Sequence, residues 1–169
     1  ANTLSLVGIV RTQEGAWLLA INAATGALVW KTQLESPAND PFAIITTSPV
    51  VVGGTIYTGI ASTEEGMAGF LPGYPCCKAR GSVVAVQASS GRIKWQVYTV
   101  PKGYNGGGVW GSNLVVDEDS NTVYAGTGNN YSHPKPDAES SISGTTHGAC
   151  ISAGGTLATC NSPNNHVDA

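Results

Sequence analysis

Two stretches of this 169-residue chain repeat each other at a fixed spacing, and that spacing limits the fold more than any other feature. "AINAATGALVW" runs from Ala20 to Trp30 and "AVQASSGRIKW" from Ala85 to Trp95. Ala, Gly and Trp recur at the same three offsets, 65 residues apart (Ala20 and Ala85, Gly26 and Gly91, Trp30 and Trp95). Each copy follows a short apolar run, "GAWLL" or "GSVV", and continues into an alternating segment, "KTQL" or "QVYTV". The physical unit is a β-hairpin: a small-residue strand, a glycine turn, and an outer strand whose tryptophan covers a neighbour. Such a unit cannot bury both faces alone, so stacked copies are expected.

Between the copies lie "TTSPVVV", a Gly53-Gly54 turn and "TIYTGIA", which read as a second hairpin. The order recurs as "GSNLVV", a "DEDSN" turn and "TVYAGTG". The chain is therefore expected to be all-β, in four-stranded antiparallel sheets in series, about two to three blades of a β-propeller. Residues 1–34 read as the end of one blade, 43–100 as a complete blade, and 111–169 as the start of the next with a long polar loop. A propeller closes with about four to eight blades, so the chain reads as part of a longer one, the remaining blades being its first partners. Twenty-two glycines and only 11% charged residues suit turns and buried sheets. The net charge of −3 gives no electrostatic case for nucleic acid. No stretch reaches the roughly 18 apolar residues of a membrane span.

Four cysteines fall into two pairs by sequence, Cys76–Cys77 and Cys150–Cys160. Neither pair has CxxC spacing. His133, His147 and His166 are scattered through a polar tail rather than placed at zinc-site intervals. Two disulfides in an oxidising compartment are expected. The second closes a short loop and is structural. The first closes a very small ring, which makes a flat, rigid, apolar plate. "NYS" at Asn130 is an N-glycosylation sequon, meaningful in a eukaryotic secretory pathway.

The "AxxxxTGxxxW" pattern resembles the tryptophan-docking repeat of the eight-bladed quinoprotein alcohol dehydrogenases. Asn22 and Gln87 stand where that family usually has Asp. "TTSPVVVGGTIYTGIASTEEG" and "GGGVWGSNLVVDEDSNTVYAGTGNN" look like its cofactor-bearing segments, and "YPCCKARGSVVA" is similar to the polyvinyl-alcohol dehydrogenase branch. The resemblance covers about residues 18–132. It implies pyrroloquinoline quinone (PQQ) and calcium as cofactors. Matched residue by residue, Thr46, Ser62, Thr63 and Arg80 would meet the quinone carboxylates, with Ala61 in the same loop. Trp110 would stack on the ring, and Cys76–Cys77 would lie over it. Glu64 and Asn129 would be oxygen ligands of calcium, with Glu64, as the charged one, mattering most. The catalytic Asp is expected in a later blade, past Ala169. The resemblance further implies alcohol oxidation, on polymeric or secondary alcohols, with cytochrome c as electron acceptor and a periplasmic or secreted location. The rival expectation is a propeller that serves as a non-catalytic scaffold. The two part at Glu64 and Asn129: convergence favours a cofactor site.

Overall fold

A computed structural model describes residues 4–10, 14–74, 76–111 and 113–132. The Cys150–Cys160 pair and the three histidines lie outside them. The described residues form twelve strands: β1 (Leu4–Val10), β2 (Ala16–Asn22), β3 (Leu28–Glu35), β4 (Ala43–Ile44), β5 (Val50–Val52), β6 (Thr55–Ser62), β7 (Ser82–Gln87), β8 (Ile93–Tyr98), β9 (Asn105–Gly106), β10 (Val115–Asp117), β11 (Thr122–Tyr124) and β12 (Asn130–Ser132). One helix, α1 (Glu64–Phe70), sits between β6 and β7. All pairing between strands is antiparallel: β1-β2-β3 in one sheet, and β5-β6-β7-β8 in the next with β4 on the far end of β6. The all-β expectation holds, and the helix is an addition to it. Its sequence, "EEGMAGF", contains two glycines and reads as loop; tertiary context overrides that weak propensity.

The 65-residue repeat is reproduced bond for bond. Ala20 faces Trp30 across β2–β3, and Ala85 faces Trp95 across β7–β8, with a register shift directly after each alanine. Gly26 and Gly91 take φ of 73° and 74°, a left-handed conformation that favours glycine. Each donates its N–H to the carbonyl four residues back, Asn22 or Gln87, at 2.8 Å. The Asn22 carboxamide oxygen accepts the N–H groups of Ala24 and Thr25 at 2.9 and 3.1 Å. This Asx turn uses an oxygen that an aspartate would also supply, so asparagine there keeps the turn.

The two sheets meet through Trp30. Its indole N–H donates to the Ala88 carbonyl at 2.9 Å, and the Thr32 hydroxyl donates to the Gly91 carbonyl at 2.7 Å. A Cβ on Gly91 would stand 2.7 Å from the Trp30 ring, so the ring lies flat on bare backbone. Beneath this dock Leu18, Leu34, Ile45, Ile56, Ile60, Val84 and Val86 form the core. Trp95 holds the equivalent place one repeat later, tilted against Tyr57 at 5.9 Å and 38% exposed.

Candidate functional site

Past the end of β6, segments distant in sequence are woven together by backbone hydrogen bonds. The short strand β9 is the hub. Gly106 N–H donates to the Ala79 carbonyl and its own carbonyl accepts from Gly81 N–H, both at 2.8 Å. On its other side β9 pairs with β12, and Gly107 N–H donates to the Asn129 carbonyl at 3.0 Å. Gly128 N–H reaches the Gly108 carbonyl at 2.8 Å, and Val109 N–H reaches Ile60 at 3.0 Å. This weave demands bare backbone. A Cβ on Gly81 would run into the carbonyl of Gly107 and stand 2.7 Å from Gly108 Cα.

Trp110 emerges at the junction, half-buried. Its indole Nε1 would be 3.0 Å from a Cβ on Gly108 and 2.9 Å from one on Gly128, so two glycines cradle that edge of the ring. Ala61 packs against Gly108 as well. Trp110, the Asn129 backbone and Ala61 thus meet at this junction. The Asn129 side chain is exposed, its amide directed at the next carbonyl at 3.5 Å.

The two adjacent acids are placed differently. Glu64 is 0% exposed. Its Oε1 accepts the Tyr74 hydroxyl at 2.9 Å, and its Oε2 accepts the N–H groups of Lys78 and Ala79 at 2.7 and 2.8 Å. Glu65 is exposed. Burial, then the Glu65 charge, pushes the Tyr131 phenol up to about 12.

Cys76 and Cys77 are bonded to each other across a cis peptide. Cys76 is exposed and Cys77 buried, with the Cys77 carbonyl held by the Asn105 amide. Thr46 is exposed, while its neighbour Thr47 is buried and bonded to Thr58 and Gly59 N–H. Ser62 is buried and spent inside the protein: its hydroxyl donates to Asp40 and accepts from Glu64 N–H, both at 3.1 Å. Thr63 is exposed just before α1.

Arg80 turns toward a second place. Its guanidinium lies over the Tyr98 ring at 4.1 Å, and Nη2 donates to the Val100 carbonyl at 2.7 Å. Its Nε is buried without a hydrogen-bond partner. It lines a cleft of about 240 Å³ with Glu35, Asn39, Asp40, Lys78 and Tyr98. Sequence reasoning missed Glu35 and Asp40, which are 4% and 3% exposed. "LESPANDP" reads as a polar turn, and nothing in it signals burial. Desolvation chiefly, with the Glu64 and Glu35 charges adding, raises Asp40 from 3.8 to about 6.

A pH dependence follows. The folded state binds the Asp40 proton more tightly than the unfolded chain, so the contribution of Asp40 to stability is greatest at low pH and falls as pH rises from 3.8 to about 6. Denaturant unfolding of Asp40→Asn across that range should lose this decline. The variant should gain roughly 2 kcal/mol over the parent at neutral pH. An unchanged pH profile would refute the assignment.

Comparison with known proteins places this arrangement. A family model of PQQ-type repeats, described as outer membrane protein assembly factor BamB, matches residues 5–131. A polyvinylalcohol dehydrogenase from Sphingopyxis sp. is 32% identical over 139 residues, 73% of this chain and 20% of that protein. The quinohemoprotein alcohol dehydrogenase ADH IIB from Pseudomonas putida is 30% identical over 145 residues, 71% of this chain and 19% of that protein. The chain thus spans about a fifth of the length of these relatives. Among solved structures, the quinohemoprotein alcohol dehydrogenase ADHIIG from Pseudomonas putida superposes with a TM-score of 0.58 at 26% identity, covering 75% of this chain and 20% of that one. The repeat, the tryptophan dock and these matches agree: the chain belongs to the quinoprotein β-propeller family, with PQQ-dependent alcohol dehydrogenases as its relatives.

Proposed function

We propose that this chain forms part of a PQQ- and calcium-dependent alcohol dehydrogenase acting on polymeric or secondary alcohols, periplasmic or secreted, with cytochrome c as electron acceptor. The observation that carries the reading is the meeting of Trp110, the Asn129 backbone and Ala61, at the end of the strand that leads to Glu64 and Glu65, around one glycine-lined junction. Names of relatives support it: polyvinylalcohol dehydrogenase for the substrate class, quinohemoprotein alcohol dehydrogenase for the route of electrons.

The residues present fit a planar, anionic group. Trp110 supplies a flat ring whose orientation is fixed by backbone on one edge. Exposed Thr46 and Thr63 supply hydroxyl donors, and the disulfide plate an apolar surface. An exposed amide oxygen at Asn129 and a carboxylate from the Glu64–Glu65 pair suit calcium, which takes oxygen ligands. Bound there, the quinone would supply hydride-accepting chemistry and the calcium ion Lewis acidity. This chain's residues bind and orient the group; the base that takes the hydroxyl proton belongs to a later blade.

The test is equilibrium titration of the full-length apoprotein with PQQ in the presence of Ca²⁺. Trp110→Ala should weaken binding by about ten- to a hundredfold, since it removes the stacking face and little else. Two features favour the scaffold as a second reading. Glu64 is fully enclosed by the fold, and among the described residues no three His, Cys, Asp or Glu side chains gather as a metal cluster. A folded parent protein that takes up neither PQQ nor calcium would establish the scaffold instead.

A further inference from the structure

The buried carboxylate of Glu64 is held by the disulfide loop. Its donors are Tyr74, two residues before Cys76, and Lys78 and Ala79, directly after Cys77. One side chain therefore gathers the loop from both sides of the cysteine pair, while Asn105 fixes the Cys77 carbonyl. Both oxygens of Glu64 are engaged, and no part of the residue is exposed. A metal ligand needs a lone pair directed at an accessible ion. Glu65, one residue on, is exposed.

We propose that Glu64 is the positioning residue of the disulfide loop and not a metal ligand. The loop role stands on the hydrogen bonds alone; the exclusion from the metal is read against the calcium site proposed above. Chemistry separates the two roles at Glu64. In Glu64→Gln the amide oxygen can still accept from Lys78 and Ala79 N–H, while the amide nitrogen donates to the Tyr74 oxygen. The clamp survives and the charge is gone. In Glu64→Ala the clamp is gone, and two buried backbone donors lose their acceptor.

Two readouts on the full-length protein decide the matter. The first is the rate at which dithiothreitol opens the Cys76–Cys77 bond, followed by alkylation and mass spectrometry. Glu64→Ala should speed reduction about tenfold, Tyr74→Phe about threefold, and Glu64→Gln should stay within about twofold of the parent. The second is Ca²⁺ affinity by calorimetric titration. Glu64→Gln should stay within about twofold of the parent. A tenfold calcium loss in folded Glu64→Gln would overturn its exclusion from the metal. Parental reduction rates in both folded Glu64→Ala and Tyr74→Phe would overturn the clamp. If Glu64→Ala does not fold, Tyr74→Phe and Glu64→Gln carry the reduction test between them. A parent that binds no calcium sinks the functional reading, while the reduction rates still read the clamp.

Discussion

Alanine at Gly81 should destabilise the protein by at least about 3 kcal/mol, more than most single substitutions. The added methyl would meet the carbonyl of Gly107 and the Cα of Gly108 rather than flexible side chains. Backbone cannot swing aside, so β9 must separate from the start of β7. Gly81 N–H to Gly106 and Gly106 N–H to Ala79 are the bonds at risk. Equilibrium unfolding in urea measures the loss. The same variant should weaken PQQ binding, because Gly81 packs against Gly108 and Trp110 takes its position from Gly108 and Gly128 in that weave. A loss below about 1 kcal/mol would mean that the close approach of these strands is wrong.

Trp30→Ala should cost about 3 kcal/mol, at the lower end for tryptophan truncation because the ring is only half-buried. It removes the cover over Gly91 and the indole bond to Ala88 together. Gly91→Ala should also be costly, for two reasons: φ of 74° is unfavourable for alanine, and the new methyl would meet Trp30 and Thr32. The pair should not be additive. With the ring already gone, part of the Gly91→Ala cost disappears, and a coupling of about 1 kcal/mol is expected in a double-mutant cycle. Strict additivity would show that the ring does not rest on that turn. Trp95→Ala, with its ring 38% exposed among the described residues, should cost less than Trp30→Ala.

The sheets were readable because their signals are local and repeated. Ala20, Gly26 and Trp30 are copied at Ala85, Gly91 and Trp95, and a shared offset dictates a shared register. The paired cysteines were readable because adjacency leaves little choice of partner. The division between Glu64 and Glu65 was not. Identical neighbours carry no mark of which one turns inward, and the donors that decide it lie 10 to 15 residues away. Glu35 and Asp40 were hidden for a similar reason. Their burial comes from Gln96 and Tyr98 on one side and Ser62 on the other, contacts made only after two sheets have met. Arg80 was placed beside the quinone by resemblance, yet its guanidinium lies over Tyr98 in the cleft between sheets.

The tryptophan dock also imposes an order in time. Trp30 finds its acceptor 58 residues further along the chain, and Thr32 finds its own 59 further on. On the ribosome, which adds about 5–20 residues per second, the first sheet must wait roughly 3–12 seconds for the turn that covers it. During that interval the Trp30 ring has no native socket. A chaperone that shields a single aromatic ring for a few seconds would protect each blade until its successor emerges.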